Sequence, residues 1–330
     1  MHLRTKSTLI VTAFLIFGCF TFSCNNSGKD ASPAKLEHVK VAQFGDVFLY
    51  MPLYLAQERG FFQEQGIEIE ITNTGGDDKT FAALLSKSAS FGIADPTFAA
   101  IAKEKGNGGS VVASIVNGVP FWGITKNDKV PQITNGELLK GFSVATFPSP
   151  STAYTLQAKM FSDAHLSPDI KQAAFGALIP MLDAKQVDIA LELEPNVSLA
   201  VKNGARVVYS MADLYGEFAI TGVTVTDEML KTNPELVQRF VNAIDHAEKF
   251  AHAHPDSASF FARKKFPDMD STVVSRAMNR ILSSNTLPNS VTISSPAWEK
   301  AIQLRKDAGD LQSLEIGRSV LDMKFAQNVK

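Results

Sequence analysis

Hydrophobic and polar positions recur with two different periods along the chain, and the changes of period mark its elements. Isoleucine and glutamate alternate over Ile67–Ile71, which predicts a strand with one buried face. The preceding run Pro52–Gly60 predicts a helix, because proline favours a first turn and glycine favours the end. A second strand-turn-helix unit begins at Phe91–Pro96. Strands that alternate with helices predict a parallel sheet with a ligand site at the carboxyl ends of its strands.

The same patterns predict a two-lobed α/β fold in which each lobe is a mainly parallel sheet flanked by helices. The first lobe is predicted over residues 38–119 and 222–330, and the second over residues 120–221. The chain is expected to cross near Asn117–Phe121 and to return along the strand Ala219–Val225. Two lobes that the chain crosses twice form a cleft that can close by a hinge motion.

The last third of the chain is predicted to be helical. Asn233 and Pro234 form a helix start, with asparagine as the cap and proline at the first position. The apolar positions from Leu236 to Ala251 then recur at spacings of three and four residues, which predicts an amphipathic helix. His252 and His254 near its end are two residues apart and cannot share a helical face, so we expect no metal site there.

Residues 1–24 are typical of a targeting segment. Arg4 and Lys6 precede the apolar run Leu9–Phe22, which is shorter than the about 20 residues that a membrane span requires. A cysteine that closes a signal peptide resembles the acylation site of a bacterial lipoprotein. We predict acylation at Cys24, with Cys19 as the alternative, and a flexible tether over residues 25–37.

Charge and cysteine usage exclude several classes of function. The 32 basic and 34 acidic residues are interspersed and give a net charge of −2, so no basic surface for nucleic acid is indicated. Because Cys19 and Cys24 are the only cysteines, the mature chain can contain no internal disulfide and no cysteine metal site. We expect no cofactor and no metal, and a monomer.

Three motifs resemble a known family, the solute-binding proteins of ABC importers for sulfonates, taurine, nitrate and thiamine pyrimidine precursors. They are PLYLAQERGFFQEQGIEIEI at 52–71, FGIADP at 91–96 and LELEP at 191–195. The resemblance extends over about residues 38–270. It implies a type II-like periplasmic binding fold, a location in the periplasm or cell envelope, and an ABC permease as partner.

Candidate ligand contacts in the first lobe follow its strands. Asp46, Phe48 and Tyr50 come after the first strand, where aromatic rings could stack on a planar ligand and the carboxylate could pair with an amine. Asp95 and Thr97 follow the third strand. The alternatives are a surface loop whose aromatic residues pack under the next helix, and an Asp95 that only caps a helix.

Candidate contacts in the second lobe fall in three groups. Aromatic residues follow the crossing, hydroxyl groups open a helix as in an anion site, and two carboxylates share one face of a strand. These residues are Phe121 and Trp122; Ser149, Ser151 and Thr152; and Glu192 and Glu194. Core packing, helix capping and a solvated strand face are the respective alternatives.

These candidates predict a lipid-anchored, non-catalytic solute-binding protein that delivers a small molecule to an ABC permease. The acidic and aromatic character of the predicted cleft favours a planar, amine-bearing ligand such as a thiamine-type aminopyrimidine. A sulfonate, taurine or nitrate binder is the alternative. Two other classes are a surface interaction lipoprotein and a pyrimidine-precursor synthase, although the synthases use a cysteine-rich motif that this chain lacks after Cys24.

Overall fold

The computed structural model describes residues 35–330, so the predicted signal segment, both cysteines and most of the predicted tether lie outside the described residues. Glu37, which was predicted to close the tether, is the first residue of a strand. The described part contains ten strands: β1 (Glu37–Gln43), β2 (Ile67–Asn73), β3 (Phe91–Ala94), β4 (Ser110–Gly118), β5 (Trp122–Thr125), β6 (Val144–Thr146), β7 (Ile170–Gln172), β8 (Ile189–Glu192), β9 (Arg206–Ser210) and β10 (Glu217–Val225).

The helices of the described part are α1 (Met51–Glu58), α2 (Phe61–Glu64), α3 (Asp77–Leu85), α4 (Thr97–Glu104), α5 (Thr152–Asp163), α6 (Leu178–Asp183), α7 (Asn196–Lys202), α8 (Met211–Tyr215), α9 (Asp227–Thr232), α10 (Pro234–Ala253), α11 (Pro255–Lys265), α12 (Ser271–Ser283), α13 (Ser295–Asp307), α14 (Leu314–Ser319) and α15 (Lys324–Gln327). Within residues 35–330, none of these helices combines the length and apolar character needed to cross a membrane.

Two five-stranded sheets form the two lobes. The strand order is β2-β1-β3-β10-β4 in the first and β7-β6-β8-β5-β9 in the second. Each sheet has one strand that runs against its neighbours, β10 in the first and β5 in the second. The chain enters the second sheet through β5 and returns to the first sheet through β10. The predicted two-lobed α/β fold with mainly parallel sheets is therefore confirmed.

The two crossings lie side by side. The chain leaves the first sheet after Gly118 and returns to it at Glu217, which pairs with Gly118 across the two strands. The Asn117 side-chain amide donates to Glu217 Oε1 over 3.0 Å and ties the crossings together. Because β10 pairs with the first sheet from Glu217 onward, the return lies before this residue, and the predicted boundary after residue 221 falls inside the strand.

The helix α10 covers the first sheet with the predicted amphipathic face. The Asn233 side chain accepts from the Leu236 N–H over 3.2 Å, which confirms the predicted cap. Phe240 then stacks on Phe91 of β3 with ring centroids 3.9 Å apart. The later helices α12 and α13 follow the return crossing, and each carries an arginine toward the second lobe, as described below.

Candidate ligand-binding cleft

A cleft lies between the carboxyl ends of the strands of both lobes and contains two chambers. The inner chamber has a volume of about 80 Å³, which equals the liquid volume of roughly three water molecules. The outer chamber is larger, about 480 Å³, and shares Phe44, Asp77, Phe147 and Ser151 with the inner one. The inner chamber is lined by Phe44, Leu49, Tyr50, Asp77, Asp95, Phe121, Phe147, Ser151, Thr152, Ala153, Leu193, Ile220 and Thr221.

Aromatic rings form most of the large side chains of this cleft. Phe121 and Phe147 stand 6.2 Å apart between centroids, and Phe147 is 6.2 Å from Phe175. Phe175 in turn meets Phe44 of the first lobe edge to face, again at 6.2 Å. The rings therefore continue from the inner chamber to the opening, where Phe44 and Phe175 come from opposite lobes.

A buried ionic cluster joins the lobes at the wall of the inner chamber. Arg305 of α13 is 1% exposed and donates to Asp95 Oδ2 over 2.6 Å. The same guanidinium donates to two groups of the second lobe, the Thr152 hydroxyl at 2.8 Å and the Pro150 carbonyl at 2.5 Å. Thr152 also donates to Asp95. The start of α5 is thus held against the first lobe by an arginine from its C-terminal helices.

Arg305 also has two partners within the first lobe. Its Nε donates to the Thr97 hydroxyl over 3.0 Å, and Asp310 pairs with it at 3.2 Å. Burial lowers the pKa of Arg305, but the charges of Asp95 and Asp310 outweigh that effect and raise it above its usual value. Asp95 also accepts from the Thr97 N–H over 2.9 Å, at the first residue of α4.

A second arginine bridge lies on the other side of the cleft. Arg280 of α12 donates to Glu194 Oε1 over 2.6 Å, and Glu194 also accepts from the N–H and hydroxyl of Ser198. Burial raises the pKa of Glu194, although the bonds from Ser198 and Arg280 oppose the shift. Trp122 lies under Arg280, with 5.8 Å from the guanidinium carbon to the ring centroid. Neither Glu194 nor Trp122 lines the two chambers.

Asp77 is the acidic residue of the inner chamber that the sequence analysis missed. It opens α3 directly after Gly75 and Gly76, and its Oδ1 accepts from the Asp95 N–H over 3.3 Å. Within residues 35–330 Asp77 forms no ion pair. The cation near it, Arg305, forms its ion pairs with Asp95 and Asp310 instead. Enclosure by protein and the neighbouring Asp95 charge raise the pKa of Asp77 to about 7. Its remaining exposure is to the cleft that it lines.

The other predicted residues of the first lobe occupy different places. Tyr50 lines the inner chamber, where burial and the charge of Asp77 raise its pKa well above the usual value. Phe48 is instead part of the core, fully buried and stacked on Phe266 at 4.8 Å. The predicted open loop is a 3-10 turn at Phe48–Tyr50 that leads into α1, and this turn directs Phe48 inward.

Asp46 lines only the outer chamber. Burial raises its pKa, but hydrogen bonds from Asn73 and Lys265 and the Lys265 charge outweigh that effect, so the pKa lies below its usual value. The Lys265 Nζ lies 3.0 Å from Asp46 Oδ1. Asp46 is therefore already paired at the rim.

The predicted residues of the second lobe are also divided. Phe121, Ser151 and Thr152 line the inner chamber, and Ser149 lines the outer one. Glu192 is fully buried away from both chambers, and its carboxylate has no hydrogen-bond partner among the described residues. Burial raises its pKa to about 8; Asn196 lies near and opposes the shift without reaching hydrogen-bonding geometry.

A family model and a known relative each match more than half of the chain. A family model described as NMT1/THI5 like matches residues 48–258. A protein of Bacillus subtilis (strain 168) that is named as a binding protein, YtlA, is 25% identical over 309 residues, which cover 89% of this chain and 90% of the relative.

Two solved structures share the fold. The periplasmic aliphatic sulphonate binding protein SsuA of Escherichia coli superposes with a TM-score of 0.70 at 15% identity, covering 87% of this chain and 92% of that chain. The periplasmic nitrate-binding protein NrtA of Synechocystis PCC 6803 gives 0.69 at 13% identity, covering 89% and 88%. At these identities the likeness concerns the fold, which agrees with the two sheets and the cleft between them.

Proposed function

The chain belongs to the NMT1/THI5-like family, as its sequence motifs predicted, and from this premise we propose that it is a lipid-anchored solute-binding protein. In this role it closes its two lobes on a small solute and delivers the solute to the permease of an ABC importer. It acts as a monomer at the cell envelope, catalyses no reaction, and is held at the membrane by acylation at Cys24.

The observation that carries this proposal is the inner chamber, because both lobes build it. Tyr50 and Asp95 come from the first lobe, whereas Phe147 and Thr152 come from the second. The bonds of Arg305 to the start of α5 join the lobes beside the same chamber. A solute that contacts both lobes gains contacts only in the closed state, and this difference in affinity is what shifts the population of the lobes toward closure.

The lining supports a planar, amine-bearing solute of the aminopyrimidine type. Phe44, Phe121 and Phe147 offer apolar faces on which a planar ring can stack. The polar part of the lining is acidic, with Asp77 and Asp95 in the inner chamber. The inner chamber is smaller than a substituted ring requires, so such a solute extends from it into the outer chamber.

An anion of the sulfonate or nitrate class is the second candidate. It is favoured by the names of the two structural neighbours and by Ser151 and Thr152, which open α5 at the inner chamber. A helix start is a natural anion site. However, the Thr152 hydroxyl already donates to Asp95, and the carboxylate of Asp77 faces the same chamber.

Thermal unfolding with a small panel tests the proposal. The panel contains an aminopyrimidine and ethanesulfonate. Its control is the methylpyrimidine of the same shape as the aminopyrimidine. A ligand at a hundred times its dissociation constant adds about 2.7 kcal/mol to the free energy of unfolding. We expect the aminopyrimidine to raise the melting temperature more than the methylpyrimidine does. Stabilisation by ethanesulfonate alone would select the anion class instead.

Two further classes are separated by simple experiments. A surface interaction lipoprotein would bind a macromolecule without any dependence on the cleft, so the panel would leave its melting temperature unchanged. An enzyme of the pyrimidine-precursor synthase type would consume its substrate, whereas the proposed role predicts that the bound aminopyrimidine is recovered unaltered after release by denaturation.

A further inference from the structure

Four acidic residues were predicted as ligand contacts; Glu192 is buried away from both chambers, and the other three are not free to meet an amine. Asp46 is paired with Lys265, Glu194 with Arg280, and Asp95 with Arg305. Each carboxylate already has a cationic partner within the protein, and a buried pair that loses a partner leaves an uncompensated charge. A solute nitrogen therefore needs a different acceptor.

Asp77 is a carboxylate of the inner chamber without such a partner. Its contact in the described part of the chain is the Asp95 N–H at 3.3 Å, a weak bond that leaves Oδ2 free to accept. The positive charge of the nearby Arg305 is already balanced by its ion pairs with Asp95 and Asp310. At the wall of the inner chamber one arginine stands against the three aspartates Asp77, Asp95 and Asp310, and this negative balance favours a cation and opposes an anion.

The walls around Asp77 suit a cation as well. Phe44, Tyr50 and Phe147 line the chamber with it, and the faces of aromatic rings attract a cation within about 6 Å. A chamber of about 80 Å³ accepts a compact group rather than a whole substituted ring. The outer chamber, which also contacts Asp77, offers about 480 Å³ for the rest of the molecule.

We propose that Asp77 determines specificity by holding a compact nitrogen cation, an amidinium or ammonium group, in the inner chamber while the remainder of the solute extends into the outer chamber. This assignment rests on the proposed solute-binding function and names the chemistry of the solute's buried group.

The proposal has a consequence for the pH dependence of binding. The charged and titratable groups around Asp77 are Asp95, Arg305, Asp78 and Tyr50, and Lys79 lines the outer chamber with it. A cation binds the ionised form of Asp77, whose pKa is raised to about 7, so affinity rises as the pH rises through 7. Between pH 6 and pH 8 the ionised fraction increases about tenfold, and the affinity for a cation follows it. An anion requires the protonated form and shows the opposite trend.

Titration with three fragments of similar size tests this assignment. The fragments are acetamidinium, its neutral analogue acetamide, and methanesulfonate, and binding is followed by the shift of protein NMR signals at pH 6 and pH 8. The proteins are wild type, Asp77→Asn, and the control Asp256→Asn. Asp256 is likewise an acidic residue in the first turn of a helix, but it is exposed on α11, away from both chambers.

For the wild type we expect acetamidinium to bind more tightly than acetamide, and about tenfold more tightly at pH 8 than at pH 6. Asp77→Asn should weaken acetamidinium binding about 10- to 100-fold and remove the pH dependence, because a hydrogen bond to a charged group is lost. Asp256→Asn should behave as the wild type. The melting temperature of each variant shows that it is folded.

The opposite results overturn the assignment to Asp77. The assignment fails if Asp77→Asn binds acetamidinium as tightly as the wild type does. It also fails if the wild type binds acetamide as tightly as acetamidinium, or does not bind acetamidinium. Binding of methanesulfonate that strengthens as the pH falls would also reject the cation, yet it would leave the proposed solute-binding function in place. The two proposals therefore fail on different observations.

Discussion

Replacement of Arg305 by methionine removes one arginine that joins the two lobes and leaves Asp95 buried without a counterion. Methionine has a similar volume and no charge, so the loss concerns the bonds rather than the packing. Arg305 is 1% exposed and Asp95 6% exposed, so the Asp95 carboxylate can exchange its counterion only for water of the inner chamber that it lines. Breaking a buried ion pair from one side costs about 3–5 kcal/mol of the free energy of unfolding.

Urea unfolding of the variant measures this cost, and Arg318→Met serves as the matched control. Arg318 makes a two-bond ion pair with Glu299, at 2.7 and 2.8 Å, but both side chains are substantially exposed. Exposed pairs contribute about 0–1 kcal/mol. We therefore expect Arg305→Met to lower the free energy of unfolding by several times the effect of Arg318→Met. Addition of Asp95→Asn to Arg305→Met should recover part of the loss, because it removes the unpaired charge. Equal costs for the two arginine variants would refute the account of the cluster.

Three further predictions concern sites outside the two chambers. Because the pKa of Glu192 is raised to about 8, the unfolded chain releases this proton at a lower pH than the folded chain does. The contribution of Glu192 to the free energy of unfolding therefore falls as the pH rises from about 5 to 8, by up to roughly 4 kcal/mol. Glu192→Gln should flatten this fall in unfolding experiments across the same pH range. Phe48→Ala should lower the free energy of unfolding by about 3–5 kcal/mol, measured in urea, without changing the affinity of the folded protein for acetamidinium, since Phe48 packs in the core. Cys24→Ser should move the protein from the detergent phase to the aqueous phase in a partition assay, whereas release by Cys19→Ser alone would assign acylation to Cys19.

The fold could be predicted because its signals are local. The alternation over Ile67–Ile71 and the break at Asp95-Pro96 each specify an element and its end, and the structure has a strand and a helix start at these positions. The rule that ligands meet the carboxyl ends of strands then selected Asp95 and Thr152, which lie together at the inner chamber.

The ionic contacts of the site could not be predicted in the same way. Arg305 lies 210 residues after Asp95, and no pattern near either residue connects them. The sequence did contain a signal, because Arg305 shares a helical face with Trp298, Ala301 and Ile302, all buried, and a charge on such a face requires a partner. Asp77 opens α3, and an acidic residue in a first turn is favoured there by the helix dipole alone, so nothing local marks Asp77 as a ligand contact.

Small-angle scattering of the protein with and without its solute tests the central claim, that the interlobe cleft binds a small molecule and closes on it. The solute is whichever of the aminopyrimidine and ethanesulfonate raises the melting temperature, and the methylpyrimidine serves as the control. The account predicts a smaller radius of gyration at saturation with the solute and no change with the control. A radius that is unchanged at saturating solute would contradict closure of the two lobes.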